Sequence, residues 1–175
     1  MNRGKKLLIN LCIIVCVLLL RYYFGGYYIS QEQCLLETMR GLYAKETDII
    51  MELETENHIK TLVADFENRT VSIIGTKKKG IFYQTASSSI GSSLSDKEKI
   101  HISAMGDADV GMAVFIYRND KNIHKVEVKM EDGKVFQLDE WNQDFTGFLY
   151  ECQDWQQGEY VLYDINNNII EIINY

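Results

Sequence analysis

The stretch that most constrains this chain is its start, where Met1-Asn-Arg-Gly-Lys-Lys6 leads into Leu7 to Leu20, fourteen residues of which only Asn10 is not apolar. At about 1.5 Å of rise per residue such a helix spans roughly 21 Å, short of a hydrocarbon core of roughly 30 Å. The expectation is therefore that the helix continues through Arg21 and Tyr22-Tyr-Phe-Gly-Gly-Tyr-Tyr-Ile29, reaching about 35 Å. In that reading Arg21 snorkels to the interface and the four tyrosines form a belt at headgroup level. Arg3, Lys5 and Lys6 hold the N-terminus in the cytoplasm. A cleaved signal peptide shares the charged start and short apolar run, but the only candidates for the small residues of a cleavage site are Gly25 and Gly26, which stand among bulky aromatics. Residues 1–29 are thus expected to be a basic cytoplasmic tip and a transmembrane anchor at the cell membrane, with the rest extracytoplasmic.

Charge divides the chain at the same place. Residues 1–26 hold four of the 18 Lys and Arg and none of the 25 Asp and Glu, so residues 27–175 carry 14 basic against 25 acidic groups, net −11. A body of that sign is repelled by nucleic acid and by anionic lipid surfaces; its ordinary consequence is solubility. Of the four cysteines, Cys12 and Cys16 fall in the apolar run, leaving Cys34 and Cys152. A Cys34–Cys152 disulfide would close a long loop and stabilise by about 4–5 kcal/mol in the chain-entropy model. Two free thiols fit the spacing equally.

Beyond the anchor the hydrophobic period changes twice. Ser30-Gln-Glu-Gln33 has the spacing of a capping box, and Leu35, Leu36, Met39, Leu42 and Tyr43 recur at helical intervals, giving one helix over 31–44. From Thr47 the alternation is two: strands are expected at 48–54, 59–66, 70–74 and 81–85, with Gly75-Thr-Lys-Lys-Lys-Gly80 as a turn. Residues 30–86 therefore read as an α+β unit, a helix on a four-strand antiparallel meander. Ala86-Ser-Ser-Ser-Ile-Gly-Ser-Ser-Leu-Ser95 holds six serines, and residues 87–98 are taken as a linker. Seven short strands follow, from Ile100 to Ile173, and in about 78 residues they suggest an immunoglobulin-like β-sandwich over 99–175. Its last strand, Ile169-Ile-Glu-Ile-Ile173, is apolar enough to call for a paired, buried position.

Lys77-Lys-Lys-Gly80 before an aromatic strand, the Ser/Gly-rich stretch, Ile123-His-Lys-Val-Glu-Val128, Gly158-Glu-Tyr160, Tyr163-Asp164 and Asn168-Ile169 together resemble a class of small membrane-anchored extracytoplasmic proteins of Gram-positive bacteria. The likeness covers most of residues 47–175. It implies a two-part ectodomain ending in an immunoglobulin-like module, and no established activity or catalytic residue. The chain departs from the pattern at Ile81-Phe-Tyr83, where tryptophan is common.

Site candidates are few. Asp107 and Asp109 sit two apart in a Gly-flanked loop that suits a calcium ligand, without the acidic series and final Glu of an EF-hand. Asp139, Glu140 and Asp144 flank Trp141, an arrangement suited to a sugar or a cation, or simply to capping a turn. Lys77, Lys78 and Lys79 form the basic cluster that an anionic wall polymer would meet, or a charged hairpin tip. His58, His101 and His124 lack zinc-ligand spacing, and no Gly-x-Ser-x-Gly elbow or phosphate loop occurs. The sequence thus reads as mainly β with α+β character, non-enzymatic and without cofactors. Its expected role is to bind an envelope protein or polymer. The alternatives are an envelope hydrolase built from dispersed acids, and a structural spacer.

Overall fold

The computed structural model describes residues 3–42, 48–89, 91–107, 111–150 and 157–175. Helix α1 runs Arg3–Phe24 and helix α2 Gln31–Gly41, and the rest is strand and turn. The strands are β1 Tyr27–Tyr28, β2 Asp48–Glu54, β3 His58–Asp65, β4 Thr70–Lys79, β5 Phe82–Ser88, β6 Ser92–Ser93, β7 Ile100–Asp107, β8 Gly111–Arg118, β9 Lys125–Met130, β10 Val135–Leu138, β11 Phe145–Tyr150, β12 Gly158–Tyr163 and β13 Ile169–Asn174. They form three antiparallel sheets. The first has the order β1-β5-β4-β3-β2 with β6 also on β4; the middle is β11-β8-β7; the outer is β10-β9-β12-β13.

The N-terminal helix corrects the expected transmembrane anchor. Its backbone stops at Phe24: Gly25 N–H still bonds Arg21 O at 3.0 Å, and Gly26 takes φ +61, the left-handed turn that closes a helix. Tyr27 and Tyr28 then leave the helix direction and pair with Gln84 and Tyr83 of β5. The expected extension to Ile29 is thus spent on sheet, and the run uninterrupted by charge remains Leu7 to Leu20, about 21 Å. Among the described residues no helix is long and apolar enough to cross a membrane.

Packing explains how the strands stack. Ser30 Oγ accepts from Gln33 N–H at 3.2 Å and caps α2, while Gln33 turns its side chain to the Tyr22 hydroxyl instead of closing the box. Leu35 and Met39 of α2 cover Val63 and Ile74 on one face of the first sheet. The opposite face, with Leu62, Ala64, Val71 and Ile73, packs on Met105, Ala113, Phe115 and Phe145 of the middle sheet. The second face of the middle sheet, with Met112, Val114, Ile116 and Phe148, packs on Val126, Val128, Tyr160 and Leu162 of the outer one. The continuous apolar run Met112-Ala-Val-Phe-Ile116 is therefore explained by position: even residues enter one core, odd residues the other, and all five are buried. The order is helix, sheet, sheet, sheet.

This layering also corrects the expected immunoglobulin-like module. The seven strands divide into sheets of four and three, but they do not make a free-standing sandwich, because the first sheet covers the outside of the middle one. The chain is mostly β in three stacked sheets. Two local expectations change with it. Gly75 to Lys79 is strand, since β4 stays paired to β3 as far as Lys77 and to β5 as far as Lys79, and only Gly80 and Ile81 make the turn. The serine-rich stretch carries the end of β5 and all of β6. Its hydroxyls supply the polarity the sheet needs there, Ser89 Oγ accepting from Ile73 N–H at 2.9 Å, while Leu94 is buried. Among the described residues strand β13 is paired on one edge only; Ile170 and Ile173 pack on the core, whereas Ile169 and Ile172 are 58% and 51% exposed.

Candidate functional site

The acidic loop after β10 divides into two parts with different work. Asn142 and Phe145 exchange N–H···O bonds of 2.8 Å in both directions, and the residues between them, Gln143 and Asp144, take φ +48 and +71. Two left-handed residues without glycine cost roughly 1–2 kcal/mol each. The compensation is electrostatic. Arg118 Nε donates to Asp144 Oδ1 at 2.9 Å, Lys121 reaches Oδ2, and Arg118 Nη1 donates to Ile123 O at 2.8 Å. Burial pushes the Asp144 carboxyl up, but the bonds from Lys121 and Arg118 outweigh it and hold the group below the usual carboxylate range. Trp141 lies under this knot, its ring centroid 4.5 Å from Arg118 Cζ and its Nε1 donating to His124 O at 2.9 Å. Trp141 and Asp144 are thus committed to holding the turn.

Asp139 and Glu140 face the other way. With Met51, Glu52, Leu53, Gln137, Leu138, Thr146 and Gly147 they line a surface hollow of about 430 Å³. The hollow lies where edge strands of all three sheets meet: β2 ends the first sheet, β11 the middle one and β10 the outer one. Two features bring them together. Asn142 Nδ2 donates to Ile50 O across the junction, and Gly147 has no side chain, so Met51 can approach. A Cβ on Gly147 would fall 2.6 Å from Val114 O and 2.9 Å from Phe115 Cδ1. Met51 and Leu53 face the hollow, whereas Glu52 between them turns its carboxylate to the α2 side of the sheet, accepting from Gln31 Nε2 at 3.0 Å and Thr61 Oγ1 at 3.2 Å. The result is an apolar floor of Met51, Leu53 and Leu138 with the acids Asp139 and Glu140 in its lining, an arrangement suited to an extended segment carrying positive charge.

The other sequence candidates stay apart. Asp107 ends β7, and Asp109 lies outside the described residues, as does Cys152. Cys34 is a buried thiol 3.6 Å from Thr85 Oγ1, and burial pushes it up; the possible disulfide with Cys152 involves a residue outside the described ones. Lys77, Lys78 and Lys79 end β4, the last two exposed at the hairpin tip. Among the described residues no group of three or more His, Cys, Asp or Glu side chains is placed to hold a metal ion.

Sequence reasoning missed Lys60. It reads as the polar member of an alternating strand, yet it shares the inner face of β3 with Leu62 and is 1% exposed. Its Nζ donates to Ser87 Oγ at 2.9 Å, in space left by Gly75, where a Cβ would come within 2.8 Å of the ammonium. Helix α1 is the remaining feature. Its Leu7, Leu8, Leu19 and Leu20 are 56–74% exposed, and apolar residues point outward on every side. Comparison with protein families, with curated proteins and with solved structures finds no match.

Proposed function

We propose that this protein is a binding module attached to a lipid surface, which takes a basic, extended segment of a partner protein in the hollow between β2, β10 and β11. The observation that carries the reading is the convergence of edge strands from all three sheets, with the acids Asp139 and Glu140 beside an apolar floor of Met51, Leu53 and Leu138. Edge strands offer unpaired backbone groups to an added strand, and alternate side chains of that strand then meet floor and rim. The acidic balance of the body favours the approach of a cationic partner. Helix α1 supports the lipid attachment: burying each exposed leucine contributes roughly 1.5–3 kcal/mol, and lipid is the phase that accepts a helix apolar on all faces. In this reading α1 lies along the lipid surface without crossing it, with Lys5, Lys6 and Arg21 at headgroup level.

The test is direct titration of the detergent-solubilised full chain with a lysine-alternating peptide, followed by calorimetry and by amide shifts. Binding is expected to perturb Leu53, Gln137 and Gly147 and to weaken steeply with salt. The double variant Asp139→Asn, Glu140→Gln should lower affinity on the order of tenfold, about 1.4 kcal/mol. Equal binding by that variant, or shifts confined to other surfaces, refutes the assignment of the hollow.

A further inference from the structure

We propose that the tip of the β4–β5 hairpin is a second lipid contact, laying Lys78 and Lys79 on anionic headgroups and inserting Ile81 beside the end of α1. The inference rests on the reading that α1 enters lipid. Its geometric core is Tyr27 of β1. The ring of Tyr27 lies 5.2 Å from Arg21 Cζ, in the last turn of α1, and meets the ring of Phe82, the first residue of β5, edge-on at 6.2 Å. A hydrogen bond from Arg21, then burial acting the other way, then the charge of Lys79 set the Tyr27 hydroxyl, which ends below its ordinary range. One aromatic ring thus fastens the end of the apolar helix to both strands of the hairpin. Wherever α1 meets a lipid surface, the tip is held at the same level.

The composition of the tip suits that level. Gly80 takes φ +67, the left-handed turn that lets β4 reverse directly into β5. Ile81 next to it is 76% exposed, and Phe24 at the end of α1 is 81% exposed. Two large apolar side chains at one end, with Lys78 and Lys79 exposed alongside and Arg21 above Tyr27, combine insertion with positive charge. Anionic bilayers are recognised by that combination. The net −11 of residues 27–175 opposes it at long range. Screening over about 8–10 Å leaves the local sign to decide, and the acid on the adjoining β2–β3 turn is Glu56, next to Asn57 whose carbonyl accepts from Lys78 N–H at 2.8 Å.

The experiment uses the full chain carrying Ile81→Trp, with the unsubstituted chain subtracted as background for the two native tryptophans. It is mixed with vesicles of phosphatidylcholine alone or of phosphatidylcholine with phosphatidylglycerol, some containing brominated acyl chains. Both kinds of vesicle should float the chain, because α1 is uncharged over its apolar run. The emission from position 81 should move to the blue and be quenched by bromine only in the mixed vesicles. Adding Lys78→Gln and Lys79→Gln should weaken that quenched fraction on the order of tenfold while flotation is unchanged. A chain that floats while position 81 keeps the emission of a water-exposed indole in both vesicles overturns the hairpin contact and leaves the α1 reading standing. Equal blue shifts in neutral and anionic vesicles overturn the headgroup assignment. A shift produced by polyphosphate without vesicles assigns the tip to a soluble polyanion and overturns the lipid contact. A chain that does not float overturns both readings.

Discussion

Replacing Phe115 with alanine tests the stacking of the sheets. Phe115 is 1% exposed and stands on the face of β8 that packs on the first sheet, among Ile50, Leu62, Ile73 and Phe145. Removing a buried phenyl ring costs about 3–5 kcal/mol, combining lost transfer energy with the cavity left behind. Against a total stability of roughly 5–15 kcal/mol that is a large share. For a body of this size it corresponds to a fall of roughly 6–20 °C in Tm, at about 2–4 °C per kcal/mol. Because β8 belongs to both cores, the loss should be felt in all three sheets. The assay follows amide exchange of β3 and β4 for the first sheet and of β9 and β12 for the outer one, in the detergent-solubilised full chain. Both sets should lose protection together. If β9 and β12 keep their original protection while β3 and β4 open at a lower temperature, the two halves fold independently and the shared middle layer is not an energetic unit.

Three other outcomes follow from single contacts. Asp144→Asn keeps a residue that tolerates the left-handed backbone but removes the charge held by Arg118 and Lys121, and should cost about 1–3 kcal/mol at pH 7 by urea denaturation. The folded carboxyl of Asp144 lies below its unfolded value near 3.9, so its contribution is fully present above about pH 4 and lost as pH falls through the folded value; the variant should lose this part of the acid dependence. Ser30→Ala removes the cap of α2 and should destabilise by about 1 kcal/mol, with exchange of the Gln33 amide rising first. A chain ending at Asn168 loses Ile170 and Ile173 from the outer core, roughly 3–6 kcal/mol, and should melt well below the full chain by circular dichroism. Cooperative melting at the unchanged temperature would contradict the role given to β13.

Much of the local structure was legible because it depends on short-range chemistry. Ser30 before an apolar period announces the cap of α2. The turns Glu131-Asp-Gly133 and Asp164 to Asn168 bound their strands because Gly133 and Asn167 take positive φ, and Asp164 Oδ1 accepts from both Asn166 and Asn168 N–H at 2.8 Å. The hollow was half legible. Asp139 and Glu140 stood out as acids beside an aromatic, but the floor residues Met51 and Leu53 sit in β2, nearly ninety residues earlier, and nothing local couples them to the acids. Asp144 and Trp141 looked equally exposed in sequence, and only the arrival of Arg118 from β8 turned them inward.

By itself, then, the sequence determined the period of each segment, the positions of caps and tight turns, and a helix that is apolar on every face. These are set by residues within a turn or two of one another. The tertiary structure alone decided that the apolar helix ends at Phe24, because Tyr27 and Tyr28 find partners in β5. It also decided that Met112 to Ile116 serves two cores, since strand alternation says which residues share a face but not what lies opposite. Lys60 makes the same point. Its burial beside Ser87 and Gly75 depends on three strands meeting in one register, and that register is fixed only when the sheet is assembled.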